Sequence, residues 1–128
     1  MRSRKKKRFI TLLTLVIFVI ILLILGGYWL VKDQLQQKII FTNDSSYSLN
    51  SVEIKFSGEE LIFKNIQKQS TIRKNITANY DGAFDVKIIF SDGFIIKENN
   101  LGYITNGDGS KNVFLITQER ELIFDQQH

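Results

Sequence analysis

From Phe9 to Val31 the chain reads FITLLTLVIFVIILLILGGYWLV, and none of those 23 residues carries a charge. A run of that length and greasiness has few places to go. As a helix it is about 34 Å long at ~1.5 Å per residue, against a hydrocarbon core of roughly 30 Å. The abundant Val and Ile are no obstacle, because in lipid each backbone group must find its partner within the segment. Tyr28 and Trp29 stand near the far end, where amphipathic rings favour the headgroup zone. The expectation is one transmembrane helix over residues 9–31, touching the bilayer through Phe9–Val31.

Orientation follows from the flanks. Arg2, Arg4, Lys5, Lys6, Lys7 and Arg8 precede the run with no acid among them, whereas Lys32 and Asp33 follow it. The excess of positive charge keeps the 1–8 tail in the cytoplasm and exports the remainder. A cleaved signal peptide is the rival reading. Its apolar core would be unusually long, and Leu25 before Gly27, like Ile24 before Gly26, spoils the small-x-small cleavage pattern. A pilin-type leader would need a small residue at Arg8 and an acid at Leu13, and has neither.

The overall charge of +4 suggests a polyanion partner until the charges are located. Six of the 17 basic residues lie in the N-terminal tail, so from Lys32 onward 11 bases meet all 13 acids, a net of −2. Nucleic-acid binding needs clustered Lys and Arg and is not expected of the exported part. Cysteine is absent, which removes disulfides, thiolate chemistry and Cys-based zinc sites. The plentiful Ile, Lys, Asn and Phe suit AT-rich coding, hence a bacterial host.

After a polar spacer, residues 32–38, the period changes from helix to strand. In VEIKFS, Val52, Ile54 and Phe56 alternate with Glu53 and Lys55. In FDVKIIF, Phe84, Val86, Ile88 and Phe90 point one way, Asp85 and Lys87 the other. Further strands are expected at 39–42, 60–63, 71–77, 94–98, 101–104, 112–117 and 121–124. Turn chemistry separates them, notably SGEE, NYDG and SDG. Seven to nine short strands define an all-β fold, a small antiparallel sandwich over residues 39–124, with 125–128 as a tail.

Two resemblances support that architecture. Gly82, Phe84 and Val86 in DGAFDVKIIF stand where bacterial immunoglobulin-like domains carry Gly-x-aromatic-x-Val at the opening of a central strand. The sandwich is therefore expected to be immunoglobulin-like. More broadly, Asn43-Asp44-Ser45, Asp92-Gly93, Gly102-Tyr103-Ile104-Thr105-Asn106-Gly107 and Leu122–Phe124 resemble an uncharacterised family of small single-pass bacterial envelope proteins with an exported β-domain. That likeness implies architecture and lends no activity.

The chemistry-bearing residues are sparse. The one histidine, His128, is the last residue, which argues against a Ser/His/Asp device or a His metal site. Asp81, Asp85, Asp92, Glu98 and Asp108 are the acids from which a carboxylate-dependent hydrolase would have to be built. Asn106, Asp108 and Ser110 imitate positions 1, 3 and 5 of a calcium loop. Lys111 then falls where Gly belongs and Thr117 where the bidentate Glu belongs. The NGDG lettering instead suits a hairpin tip with positive φ.

No metal, no cofactor and no catalysis are expected. The reading is a membrane-anchored extracytoplasmic binding module at the bacterial inner membrane, taking a protein partner in the envelope. Tyr103, Asn106 and Asp108 are the candidate contact residues, and the edge at Glu121–Phe124 is a candidate for β-augmentation. A membrane-anchored immunity protein neutralising a periplasm-acting toxin is the alternative, and a carboxylate hydrolase comes third.

Overall fold

The computed structural model describes residues 2–128, with side chains from Ser3 onward; the Arg2 side chain of the basic tail lies outside this range. The residues form two compact units divided between Gln34 and Leu35. The first is a helix, α1 (Arg2–Leu35), with a stretch long and apolar enough to cross a membrane. Its two hydroxyls within the apolar run are not left bare: Thr11 and Thr14 donate to the carbonyls of Lys7 and Ile10 at 2.9 Å. Lys32 sets its ammonium 5.6 Å from the Trp29 ring centroid. Nothing in KDQL breaks a helix, so the helix expected to end at Val31 continues to Leu35.

The second unit is a sandwich of eight strands: β1 (Gln37–Asn43), β2 (Leu49–Phe56), β3 (Glu59–Ile66), β4 (Ser70–Ile76), β5 (Gly82–Phe90), β6 (Ile95–Ile104), β7 (Lys111–Ile116) and β8 (Leu122–Gln127). They make two four-stranded sheets, ordered β4-β1-β7-β8 and β3-β2-β5-β6. Every pairing is antiparallel except β1 with β7. A constant-type immunoglobulin sandwich orders its strands A-B-E-D against C-F-G. Here β1 and β2 lie in opposite sheets, because the 44–48 loop crosses between layers and does not close a hairpin.

The core follows the alternation of the sequence. Val52, Ile54 and Phe56 of β2 and Phe84, Val86, Ile88 and Phe90 of β5 are buried against Ile39, Phe41, Phe114 and Ile116 of the facing sheet. Four rings tie the layers together. Phe84 lies 5.5 Å from both Phe56 and Phe114, and Phe124 lies 4.9 Å from Phe114 and 5.9 Å from Phe84. Such tilted and edge-on pairs add about 0.5–1.5 kcal/mol each beyond burial. The edge strand β4 breaks the pattern. Lys74 pairs with buried Ile39, and so faces the same side of the sheet, yet stays exposed.

Three boundaries differ from the sequence expectation, each for a hydrogen-bonding reason. The spacer 32–38 shrinks to Gln36 because β1 starts at Gln37, whose carboxamide is buried and bonded. The tail 125–128 is mostly strand, because Gln126 is held by two partners. The two strands expected at 94–98 and 101–104 are one, β6, interrupted by bulges. Between Val86↔Glu98 and Phe84↔Leu101, and again between Phe84↔Leu101 and Gly82↔Ile104, β6 spends one extra residue. Asn100 (φ 59°) and Gly102 (φ 63°) take the left-handed conformations that such bulges need.

Gly102 is required twice over. Its φ is positive, and a Cβ there would sit 2.4 Å from the Phe124 ring. Gly107 also has positive φ but has open space around it. Gly102→Ala should therefore cost about 2–4 kcal/mol, backbone strain plus overpacking. Gly107→Ala should cost about 1–2 kcal/mol from the backbone alone. Urea unfolding of the detergent-solubilised chain, followed by β-sheet circular dichroism, measures the difference.

Candidate functional site

Strand directions sort the loops into two ends. The chain enters the sandwich at Gln37, on the end that carries loops 57–58, 77–81 and 105–110. Loops 44–48, 67–69, 91–94 and 117–121 occupy the opposite end.

At the Gln37 end, TNGDGS is a hairpin tip built around one carboxylate. Asp108 Oδ1 accepts from Gln37 Nε2 at 2.9 Å and from the Ser110 amide at 2.8 Å, and Oδ2 accepts from the Thr105 amide at 3.1 Å. The same Gln37 Nε2 reaches the Thr105 carbonyl, while its Oε1 takes the Ala78 amide at 2.8 Å. Burial pushes the Asp108 carboxyl up, but the donors from Gln37, Ser110 and Thr105 outweigh it and hold the group below the ordinary carboxylate range. Beside this clamp, Asn112 Nδ2 donates to the Lys38 carbonyl and to Ser110 Oγ, both at 3.1 Å. Gln126 Nε2 in turn reaches Asn112 Oδ1 and the Tyr103 carbonyl, both at 2.7 Å.

Asp108 is thus part of the architecture. Asn106 and Tyr103 remain outside, both exposed. The Tyr103 hydroxyl donates to Asp81 Oδ2 at 2.9 Å, and that carboxylate raises the phenol above its usual value. The structure therefore brings Asp108, in loop 105–110, and Tyr103, near the end of β6, to one end of the sandwich but gives them different work.

The opposite end holds a cluster that sequence reasoning missed. The Arg120 guanidinium lies 3.5 Å from the Tyr47 ring centroid, 5.0 Å from Phe94 and 5.1 Å from Phe90. Its Nη2 meets Asp92 Oδ2 at 2.7 Å. That contact, with the Phe94 amide bonded to Asp92 Oδ1 at 3.2 Å, holds the Asp92 carboxyl below its ordinary value. Three loops are joined through one side chain. Arg120 also has φ 59°, a conformation L-residues adopt at a cost of about 1–2 kcal/mol. No short motif announces this. Arg120 sits in QERE, and its partners lie in two other loops and at the end of β5.

Other polar signals in the sequence have local duties. Asn43 and Ser45 of the Asn-x-Ser pattern are buried. Asn43 Oδ1 accepts from the Ser45 hydroxyl at 2.6 Å, and its Nδ2 donates to the Tyr47 carbonyl at 2.8 Å. Asp85, which alternation placed outward, accepts the Asn100 amide at 3.0 Å and so caps a bulge of β6. Among the described residues, no group of three His, Cys, Asp or Glu is placed to hold a metal ion. The Glu121–Phe124 stretch lies at the start of the edge strand β8, with Ile123 exposed.

In fold the chain is similar to a protein from Eubacterium rectale whose structure was determined by NMR. The TM-score is 0.52 at 12% identity, covering 70% of this chain and 86% of that one. No model of a protein family and no curated protein matches the chain. At that identity the likeness speaks for the fold alone.

Two sets of outcomes follow. Asp108→Asn replaces an acceptor by a donor and leaves one amide unpaired, costing about 1–3 kcal/mol; Asn106→Ala should cost under about 0.5 kcal/mol. Because the folded Asp108 binds its proton less readily than the unfolded chain does, its contribution is complete above the ordinary carboxyl value. It is lost as pH falls through the depressed one. Unfolding of the native chain and of Asp108→Asn should therefore converge on acidification. Arg120→Ala and Arg120→Gly should both speed amide exchange in loops 44–48 and 91–94. The glycine variant should be the more stable of the two by about 1 kcal/mol, because it relieves φ.

Proposed function

We propose that the chain is a single-pass protein of the bacterial cytoplasmic membrane with its N-terminus inside, and that its exported sandwich binds a protein partner without catalysing a reaction. The observation that carries the binding reading is the clamped aromatic patch. Tyr47 and Phe94 are 39% and 47% exposed around an arginine already fixed in place. Tyrosine and arginine dominate the binding energy of many interfaces, and a surface ordered beforehand loses less freedom on contact. Asp44, Glu119 and Glu121 on the surrounding loops, against Lys68, give the rim a negative balance. A partner with basic flanks and an apolar centre complements it.

The non-catalytic part rests on what the acids do. Asp81 holds Tyr103, Asp85 caps a bulge, Asp92 holds Arg120, and Asp108 gathers a loop. Four of the five acids a hydrolase would have to assemble are committed to structural bonds in separate places. The likeness to immunoglobulin-like domains we retain as a likeness of layered architecture, with Gly82, Phe84 and Val86 at the opening of β5. Tyr103 and Asn106 lie at the end of the sandwich opposite this patch.

A photo-crosslinking residue at Phe94, introduced into the full chain in its native cells, should give one discrete adduct that disappears with Arg120→Ala. The same residue at Lys87, on the outer face of β5, should not. Equal adducts at both positions would sink the patch. A reporter fused after His128 should be active outside the cytoplasm, and activity inside would overturn the orientation.

A further inference from the structure

We infer that Tyr80 and Tyr103 form a lipid-contacting foot, seating the Gln37 end of the sandwich on the headgroup layer. This inference rests on the membrane anchorage proposed above. Both rings stand well out of the sandwich, 58% and 56% exposed. Neither is loose. The Tyr103 hydroxyl is tied to Asp81, its amide and carbonyl are both bonded to the Gln126 carboxamide, and Gly102 before it is locked under Phe124. Tyr80 lies over Gly58, where a Cβ would come 2.5 Å from the phenol oxygen, and its carbonyl accepts from Ser57 Oγ. Two aromatic rings, one on loop 77–81 and one near the end of β6, are held in place with more than half of each residue exposed.

Covalent reach says what those rings meet. Six peptide steps separate Val31, where the apolar run ends, from Gln37, where β1 begins. Fully extended they span about 20 Å, and α1 takes up the first four. This tether bounds how far Gln37 can stand from any bilayer that Phe9–Val31 crosses. A sandwich seated on the Gln37 end holds its opposite loops about one strand length away, roughly 20–30 Å. Tyrosine rings favour the headgroup zone. Positive charge is not the driving force, since Lys38 and Lys111 at this end are outnumbered by Glu59, Asp81 and Asp108. The ligand is thus a phospholipid headgroup layer contacted by amphipathic rings, and zwitterionic lipid suffices.

The chain has no cysteine, so single substitutions can be labelled cleanly. The full chain is reconstituted in phosphatidylcholine vesicles with a fluorophore at Asn79 or Asn106, near the foot, or at Ser46 or Gln118, at the opposite end. Headgroup nitroxide lipids should quench the first pair at least threefold more than the second. Adding one quarter phosphatidylglycerol should leave the ratio within twofold. Tyr80→Ser with Tyr103→Ser should abolish the difference, whereas Tyr103→Phe, which keeps the ring, should preserve it.

Equal quenching at both ends, or a ratio untouched by the double serine change in a variant that still melts cooperatively, overturns the inference. If the double variant fails to melt cooperatively, Asn106-label quenching in Tyr80→Ser alone decides: it should fall by about half, and no fall counts against the foot. Protection of Asn106 in cells but not in vesicles assigns the rings to a protein and also overturns it. A label at Leu15 unquenched by acyl-chain nitroxides is a different failure, that of the anchor itself.

Discussion

The buried carboxamide of Gln37 is where the sandwich begins and where its layers are first joined. Its oxygen takes the amide of Ala78, just ahead of β5, and its nitrogen reaches Asp108 and Thr105 in the loop before β7. One side chain at the start of the first strand thereby fixes the approach to two others. A buried amide left without partners costs about 1–3 kcal/mol, so no other register of β1 satisfies Gln37 as well. The parallel β1–β7 pairing inherits that register, with Lys38 opposite Lys111. Antiparallel neighbours follow on either side.

The two ends of the sandwich solve one problem with opposite charges. Several loops must be held together where no strand ladder reaches. At the Gln37 end an acceptor, the Asp108 carboxylate, collects amide donors. At the other end a donor, the Arg120 guanidinium, collects an acid and three aromatic faces. The acceptor solution is half-hidden and gives a stable, uninformative loop. The donor solution leaves Tyr47 and Phe94 partly open to solvent, which is why we propose recognition there.

The strand interiors were legible in the sequence because alternation reports transfer free energy, which is local to each side chain. Val52, Ile54 and Phe56, like Phe84 to Phe90, lie buried where that pattern put them. Features that depend on long-range hydrogen bonds were not legible. Gln36 and Gln37 look like spacer, Asp125 to Gln127 look like tail, and Asn99-Asn100 look like a break. Each belongs to a strand or supports one through partners distant in the chain. Asp108 was visible as a notable residue but not as an internal one, since a carboxylate in a Gly-rich loop carries the same lettering whether it faces water or three amides. Arg120 left no trace at all. Its importance lies in meeting loops that sequence order keeps apart.

The lysine on β4 has a consequence for populations of this chain. On the anchorage we propose, a bilayer would restrict the molecules to two dimensions, so identical sandwiches would meet often. That is the situation in which unpaired strand edges polymerise. A strand docking against β4 from a neighbouring copy would have to extend the inner face past Lys74, and bury an ammonium beside the row headed by Ile39 and Phe41. The desolvation involved makes that joint unprofitable however crowded the surface becomes. Of the four sheet edges, β4 is therefore the one least suited to joining two copies.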